Sequence, residues 1–161
     1  MSERLWSPWR MEYILGARDQ DDVECVFCEL LTHGDEEVFV LKRTDRAFAV
    51  MNIYPYNPGH LLVAPLRHTG ALEDLDPEEL LETGKLLQES VDVLTGEMHP
   101  QGFNVGMNLG RVAGAGVPGH IHWHVVPRWG GDSNFMSVTA GTRVLPELVE
   151  DTFKRLKPRF L

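Results

Sequence analysis

Hydrophobic and polar positions alternate in several short stretches of the chain, and a period of two is typical of β-strands. The first two stretches, residues 37–41 and 47–52, flank a turn at residues 43–45 and predict a hairpin. Residues 60–65 follow a loop rich in Pro, Asn and Gly, and predict a third strand. Residues 102–108 and 120–126 predict two more strands.

One long stretch between these strands has the helical period instead. Asp76 is a suitable N-cap, Pro77 suits the first helical position, and Glu79 is an acid three residues after the cap. These signals predict a helix that starts at residue 77 and ends near residue 99. Its apolar stripe is predicted to consist of Leu80, Leu81, Leu87, Val91 and Leu94.

A second helix is predicted at residues 145–160, where Leu145 and Pro146 open it. Its predicted apolar face is Leu148, Val149, Phe153 and Leu156. Strands, one long helix, more strands and a final helix predict an α+β fold with a mainly antiparallel sheet. We expect a single domain over residues 1–161, with an aromatic N-terminal extension at 1–24 and a core at about 25–130.

Length and charge exclude several classes of function. At 161 residues the chain is long enough for one domain with a real core, and 43% of its residues are hydrophobic. A net charge of −9 argues against general nucleic-acid binding, which needs a basic surface. No apolar run approaches the length of a membrane span, and the N-terminus lacks the apolar segment of a signal peptide. We therefore expect a cytoplasmic protein with no nucleic-acid or membrane partner.

The last of the predicted strands holds the most distinctive chemistry of the chain. His120, His122 and His124 occupy alternate positions and would share one face of a strand. Ile121, Trp123 and Val125 would then face the core. Three imidazoles in a row, after a loop with glycines at 114, 116 and 119, are a costly way to build a purely structural sheet. The row therefore indicates nucleophilic, acid–base or metal-ligand chemistry near neutral pH.

The two cysteines form a Cys-x-x-Cys pair, Cys25 and Cys28. In a reducing compartment this spacing indicates metal or redox chemistry rather than a disulfide staple. The pair alone is a weak signal, and it needs two further ligands for a closed tetrahedral zinc site.

The histidine row resembles the His-φ-His-φ-His-φ-φ signature of the histidine triad family, where φ is an apolar residue. Residues 57–65, Asn-Pro-Gly-His-Leu-Leu-Val-Ala-Pro, resemble the upstream strand of that family and include His60. The resemblance covers about residues 25–130. It implies the histidine triad fold and a homodimer with the long helix and one strand at its two-fold interface.

Residues 5–11, 54–60 and 127–135 are similar to a bacterial branch of the family, the diadenosine tetraphosphate phosphorylases. Many hydrolases of the family carry Gln-Ser or Gln-Thr four and three residues before the first triad histidine. This chain has Gly116 and Val117 there. That departure fits the phosphorylase-like branch better than an ordinary nucleoside phosphoramidate hydrolase.

The resemblance implies a role for three histidines. His122 would attack the α-phosphorus of a nucleotide and form a nucleotidyl-histidine intermediate, which water or inorganic phosphate then resolves. His124 would bind the phosphate oxygens. His60 would donate or accept a hydrogen bond that determines the tautomer of His122.

The resemblance also implies substrate-binding residues. Asn52 and Asn108 would contact the nucleotide, although each could equally cap the end of a strand. Backbone N–H groups of the loop at 114–119, including Gly116, would bind phosphate oxygens. Phe48 and Ile53 would line the nucleoside pocket. Arg128 would either attract the anionic substrate or pair with a surface acid.

For the metal, the resemblance implies that His68 and His120 complete the set begun by Cys25 and Cys28. The zinc ion would be structural, because four protein ligands leave no open position for substrate. The alternative is a reduced cysteine pair without metal. No organic cofactor is expected.

The leading hypothesis is thus an enzyme that transfers or hydrolyses a nucleotidyl group, most plainly that of a dinucleoside polyphosphate such as diadenosine tetraphosphate. One alternative is a nucleotide-binding regulatory module with little turnover. Another is a nucleoside phosphoramidate hydrolase.

Overall fold

The computed structural model describes residues 25–132 and 147–160. Its centre is a five-stranded antiparallel sheet with the spatial order β1-β2-β3-β5-β4. The strands are β1 (Val40–Arg43), β2 (Ala47–Met51), β3 (Leu61–Pro65), β4 (Gly102–Met107) and β5 (Trp123–Arg128). The helices are α1 (Val26–Leu30), α2 (Pro77–Met98) and α3 (Val149–Leu156), with short 3-10 turns at Leu72–Asp74, Arg111–Ala113 and Lys157–Arg159. The predicted α+β class and antiparallel sheet are confirmed.

The two faces of the sheet carry different hydrophobic clusters. The larger cluster lies between the sheet and helices α2 and α3, and it contains Ile121, Trp123 and Val125. The smaller cluster lies on the opposite face, where Phe27 of α1 packs with Phe48 of β2. Because side chains alternate along a strand, the histidines next to Trp123 and Val125 face the α1 side of the sheet. The predicted separation of a histidine face from a core face is therefore confirmed.

The histidine strand is shorter than its sequence pattern indicates. β5 begins at Trp123, so His120 and His122 precede the strand rather than lie within it. Ile121 donates its backbone N–H to the carbonyl of Thr69 at 2.7 Å, a contact outside the sheet ladder. The backbone before Trp123 is thus tied to the segment that follows β3.

The first predicted strand is also displaced. β1 starts at Val40 and not at residue 37, and its pairing with β2 shifts between Val40 and Lys42. Phe39 has φ of 58°, which an extended strand does not allow. The prediction of a strand at 37–41 is therefore wrong by about three residues, and the hairpin with β2 is confirmed.

Helix α2 starts as predicted. The Asp76 side chain accepts the backbone N–H of Glu79, and the Glu79 side chain accepts the backbone N–H of Asp76, which forms a capping box. The predicted apolar stripe is partly wrong, because Leu80 and Leu81 are 49% and 56% exposed. The buried face instead carries Glu79, Thr83, Leu86, Ser90 and Leu94. Three of those five residues are polar, so hydrophobicity alone pointed to the neighbouring face.

The C-terminal helix α3 is shorter than the predicted range of 145–160. Phe153 and Leu156 are buried as predicted, whereas Leu148 lies before the helix and is 67% exposed. Leu145, Pro146 and the predicted N-terminal extension lie outside the described residues. Among residues 25–132 and 147–160, no helix has the length and apolar character to cross a bilayer.

Candidate functional site

Three imidazoles meet on the α1 side of the sheet, where β3 and β5 lie side by side. His60 directly precedes β3, and Leu62 of β3 is the register partner of His124 in β5. The ring centroids are 5.1 Å apart for His60 and His124, and 5.2 Å apart for His122 and His124. The structure therefore brings together the three histidines that were predicted to be catalytic.

The backbone determines which nitrogen of His60 carries the proton. Tyr56 donates its N–H to Nδ1 of His60 at 3.0 Å, so this nitrogen must present its lone pair. The neutral ring then carries its hydrogen on Nε2, which lies 3.0 Å from Nδ1 of His124. His60 donates this hydrogen bond, and neutral His124 keeps its own hydrogen on Nε2.

The tautomer of His122 is determined by a different partner. Its Nδ1 donates to the backbone carbonyl of His120 at 2.8 Å, which leaves the lone pair on Nε2. A lone pair on Nε2 is what a nucleophilic imidazole needs. The prediction that His60 sets the tautomer of His122 is therefore wrong, because His60 bonds to His124 and the carbonyl of His120 takes the predicted role.

Burial keeps these rings neutral. Desolvation lowers the pKa of His60 to about 3, with smaller contributions from His124 and His122. Desolvation also lowers the pKa of His122, although the hydrogen bond to the His120 carbonyl acts in the opposite direction. At neutral pH both rings are therefore uncharged, and only an uncharged His122 has a lone pair with which to attack.

Two aromatic side chains that the sequence analysis did not single out enclose the histidines. Phe27, which is 4% exposed, packs its ring 4.9 Å from that of His122. Tyr56 packs its ring 4.7 Å from that of His60 and nearly parallel to that of His124, at 5.9 Å. Two sequence signals could have identified these side chains: Phe27 lies between the two cysteines, and Tyr56 lies four residues before His60.

A second group of side chains lies beside the three histidines His60, His122 and His124. Cys25, Cys28, His68 and His120 place one ligand atom each within 4.8 Å of all the others. Cys25 Sγ is 3.3 Å from Nδ1 of His120, and Cys28 Sγ is 3.4 Å from Nδ1 of His68. Ligands of a tetrahedral zinc ion are separated by roughly 3.3–3.8 Å. The four residues predicted as a metal site are thus together, with a donor set and spacing that could hold a metal ion.

The surroundings prepare His120 for this role. Its Nε2 donates to the carbonyl of Pro65 at 2.8 Å, so its Nδ1 presents a lone pair to the two thiols. Gly70 lies two residues after His68 and packs so closely against Pro118 that a Cβ at this position would clash with the Pro118 carbonyl oxygen. That close approach keeps the segments carrying His68 and His120 side by side.

The predicted substrate-binding residues separate into two groups. Ile53 is 57% exposed and accessible to a ligand, whereas Phe48 is fully buried behind the ring of His120. The prediction that Phe48 lines a nucleoside pocket is therefore wrong, because it has no surface to present. Asn52 accepts the N–H of Tyr54 and so caps the strand end, and its Nδ2 also donates to Nδ1 of His60 at 3.3 Å.

Nδ2 of Asn108 is 3.5 Å from the carbonyl oxygen of Gly114, so Asn108 closes the glycine-rich loop. Gly116 lies half-buried in a bend of the same loop. Substrate contacts by Asn108 and by the backbone at Gly116 stay predictions.

Arg128 forms an ion pair with the carboxylate of Asp132. Its Nη2 donates to Oδ1 of Asp132 at 2.9 Å, and its Nε donates to Oδ2 of the same carboxylate. This two-point contact holds the pKa of Asp132 well below its usual range. Of the two interpretations of Arg128, the structure favours the ion pair.

The fold and this site together define a class of protein: an α+β domain that presents a neutral histidine centre beside a cysteine–histidine cluster. The family model of the HIT domain matches residues 34–131, which is more than half of the chain. The chain therefore belongs to the histidine triad family. This confirms the resemblance on which the fold and the site residues were predicted.

Individual relatives agree with this assignment. The chain is 43% identical over 160 residues to an AP-4-A phosphorylase from Mycobacterium tuberculosis, covering 96% of this chain and 82% of that protein. It is 36% identical over 89 residues to an asymmetrical bis(5'-nucleosyl)-tetraphosphatase from Schizosaccharomyces pombe, covering 55% of this chain and 48% of that protein.

Among solved structures, the crystal structure of a Zn-bound histidine triad family protein from Mycobacterium smegmatis superposes with a TM-score of 0.69. The identity is 30%, and the match covers 85% of this chain and 93% of that chain.

Proposed function

We propose that this protein is an enzyme that transfers a nucleotidyl group from a dinucleoside polyphosphate, with diadenosine tetraphosphate as substrate, to inorganic phosphate or water. The observation that carries the proposal is the state of His122, which is buried, neutral and held with its Nε2 lone pair available. The similarity to an AP-4-A phosphorylase over 96% of the chain supports the choice of substrate.

In the first step, Nε2 of His122 attacks the α-phosphorus, and the bond from that phosphorus to the bridging oxygen breaks. ATP leaves with the electron pair of that bond, and AMP remains on His122. His124 carries a hydrogen on Nε2 because His60 donates to its Nδ1. That hydrogen stabilises the phosphate oxygens as negative charge shifts onto them.

In the second step, an acceptor attacks the phosphorus of AMP-His122 and releases the ring. Inorganic phosphate yields ADP, and water yields AMP. The hydrogen on Nδ1 of His122 remains bonded to the His120 carbonyl in both steps, so the ring can accept and release the nucleotide without rotating.

The cysteine–histidine cluster is proposed to hold a structural zinc ion, bound by Cys25, Cys28, His68 and His120. Two soft thiolates and two imidazoles are a donor set that suits zinc. The ion would tie α1 to the segment before β5, which is where the His120 carbonyl meets His122.

The chain is further proposed to form a homodimer. Within residues 25–132 and 147–160, β4 is an edge strand with no strand paired to its outer side, and its Val105 is 50% exposed, so it offers backbone groups and apolar surface. The exposed Leu80 and Leu81 of α2 add apolar surface. Sedimentation analysis tests this proposal, and a monomer at micromolar concentration would contradict it. A cytoplasmic location stays a prediction.

The test of the proposed reaction is product analysis with diadenosine tetraphosphate, with and without inorganic phosphate. ADP and ATP that form only with phosphate would identify a phosphorylase, in agreement with Gly116 and Val117 at their positions. AMP and ATP without phosphate would identify a hydrolase. Mass spectrometry that detects AMP bound to His122 through an acid-sensitive phosphorus–nitrogen bond tests the nucleotidyl-histidine intermediate shared by both reactions.

Absence of both product pairs would contradict the proposed substrate. In that case binding of the same nucleotide without turnover would favour the regulatory module. Turnover of an adenylated amine would favour the phosphoramidate hydrolase.

A further inference from the structure

A hydrogen-bonded cluster at the C-terminal end of β5 has no part in the reaction steps above. It consists of Asn57, Arg128 and Asp132, and we call it the clasp. Asn57 is only 3% exposed although its side chain is polar. Its Nδ2 donates to the carbonyl of Pro127 at 2.9 Å and to Oδ2 of Asp132 at 2.7 Å, which uses both of its amide hydrogens.

The other members give the clasp a defined orientation. Arg128 grips both oxygens of Asp132, a two-point geometry that allows little rotation. The backbone N–H of Trp129 also donates to Oδ2 of Asp132, at 3.3 Å. Asp132 therefore anchors Asn57 to the end of β5, and the carboxylate of Asp132 is itself fixed by Arg128 and by the Trp129 N–H.

The clasp leads directly to the turn that carries His60. The carbonyl of Asn57 accepts the backbone N–H of His60 at 3.2 Å, and the residue before it, Tyr56, donates its N–H to Nδ1 of His60. On the opposite side the turn packs against α2. Gly59 has φ of 75°, and a Cβ there would be 2.6 Å from Sδ of Met98.

The placement of this turn decides a chemical state as well as a shape. The Tyr56 N–H lies where it requires a lone pair on Nδ1 of His60, and thereby a hydrogen on Nε2. The second donor to Nδ1, Nδ2 of Asn52 at 3.3 Å, is oriented by the Tyr54 N–H of the same turn. If the turn shifts, both donors are displaced, and neutral His60 can adopt either tautomer. With the hydrogen on Nδ1, His60 has none to donate to His124, and the hydrogen of His124 is then no longer confined to Nε2.

We propose that the clasp is a positioning unit: by anchoring the turn at residues 54–59 to β5, Asn57 and Asp132 hold His60 in the tautomer that keeps the hydrogen of His124 on Nε2. None of the three clasp residues needs to touch the substrate. The kinetic part of this inference rests on the proposed function, but the tautomer of His60 can be measured without any substrate.

The first experiment compares ring-nitrogen NMR signals of 15N-histidine-labelled protein at neutral pH. Asn57→Ala removes the two hydrogen bonds that Asn57 donates, and Asp132→Asn keeps the shape of the side chain and removes its charge. Thr83→Ala is the matched control, because Thr83 is also a buried polar side chain that donates to a backbone carbonyl, that of Glu79 at 2.7 Å. We expect one tautomer of His60 in wild type and Thr83→Ala, with the hydrogen on Nε2, and averaged signals in Asn57→Ala.

The second experiment measures kcat and KM for diadenosine tetraphosphate with the same variants. Misplacement of a group next to the reaction can lower the rate by about 10²-fold, so we expect a fall of this order in kcat for Asn57→Ala with little change in KM. Asp132→Asn should show a smaller fall in kcat, and Thr83→Ala should retain the wild-type value.

The inference is overturned if folded Asn57→Ala or Asp132→Asn keeps a single His60 tautomer and the wild-type kcat. A loss of stability similar to that of Thr83→Ala would then be the only effect of the change. It is also overturned if wild-type His60 carries its hydrogen on Nδ1. If wild type turns over no dinucleoside polyphosphate, the proposed function fails, while the tautomer comparison still decides whether the clasp positions His60.

Discussion

The histidine row divides into two regions with the same side chains and different chemistry. His120 faces two thiols and His68, and its Nε2 is occupied by the carbonyl of Pro65, so its lone pair on Nδ1 suits a metal ion. His122, two residues later, reverses this arrangement. Its Nδ1 is occupied by the carbonyl of His120, so its lone pair lies on Nε2. Which carbonyl a ring can reach thus decides whether it is a ligand or a nucleophile.

The two regions are also connected. The carbonyl that orients His122 belongs to a proposed metal ligand, and Phe27, which packs on His122, lies between the two cysteines. A metal ion in one region would therefore stiffen the supports of the other. The following predictions separate the two regions, starting with the largest expected effect.

Loss of the proposed nucleophile should abolish turnover and spare the metal region. For His122→Ala we expect kcat to fall by about 10⁴-fold or more, because the proposed covalent intermediate forms on the removed imidazole. His33→Ala is the control, since His33 is an exposed histidine in a turn. Steady-state rates, metal content and the melting temperature are measured together. Substantial activity in a folded His122→Ala protein would refute the assignment.

Loss of the metal should have the converse effect, on stability first. An ion that binds only the folded state and is present at about 10³ times its Kd contributes about 4 kcal/mol. For a chain of this length that corresponds to a fall in Tm of about 10 °C on chelation. Thermal unfolding with and without a chelator, together with metal analysis of protein purified without added zinc, tests this. A fully folded, metal-free protein with an unchanged Tm would rule out a structural ion.

Acid should destabilise the protein through His60. Its pKa is lowered from 6.5 to about 3 in the folded state, so below pH 6.5 the unfolded chain binds a proton that the folded chain refuses. The contribution of neutral His60 to the free energy of unfolding is therefore complete above pH 6.5. It is lost as the pH falls from 6.5 toward 3, by roughly 1.4 kcal/mol per pH unit. We expect urea unfolding of His60→Gln to show a flatter pH dependence than wild type, whereas His33→Gln should match wild type. Equal slopes in His60→Gln and wild type would contradict the buried neutral state.

The smallest expected effect concerns the contact between the two regions. Phe27→Leu and Phe48→Leu both remove a buried ring from the smaller cluster, so each should cost about 1 kcal/mol of stability. Only Phe27 packs against His122, while Phe48 contacts His120 from behind. We therefore expect kcat to fall severalfold in Phe27→Leu alone. Equal kcat in the two variants would mean that Phe27 only fills space.

Local signals were sufficient for part of the site. The helix start at Asp76 depends on neighbours within four residues and appears in the structure as predicted. The alternating row at 120–124 also separates the histidines from the core residues Ile121 and Trp123 as predicted, although the strand itself begins only at Trp123. Phe48 and Leu80 show the limit of such signals. Each is apolar in a plausible position, but whether it faces a ligand, the core or solvent depends on segments far away in sequence.

The sequence by itself determined the α+β class, the histidine triad signature and the residue types that could bind a metal or a phosphate, because these follow from composition and short spacings. Only the tertiary structure decided that His60 meets His124 instead of His122, and that Asn57 meets Asp132, 75 residues later in the chain. Tautomers depend on these contacts, since a ring nitrogen keeps or yields its hydrogen according to the partner that faces it. Such partners are brought together by strand order and turn placement, which no short stretch of sequence encodes.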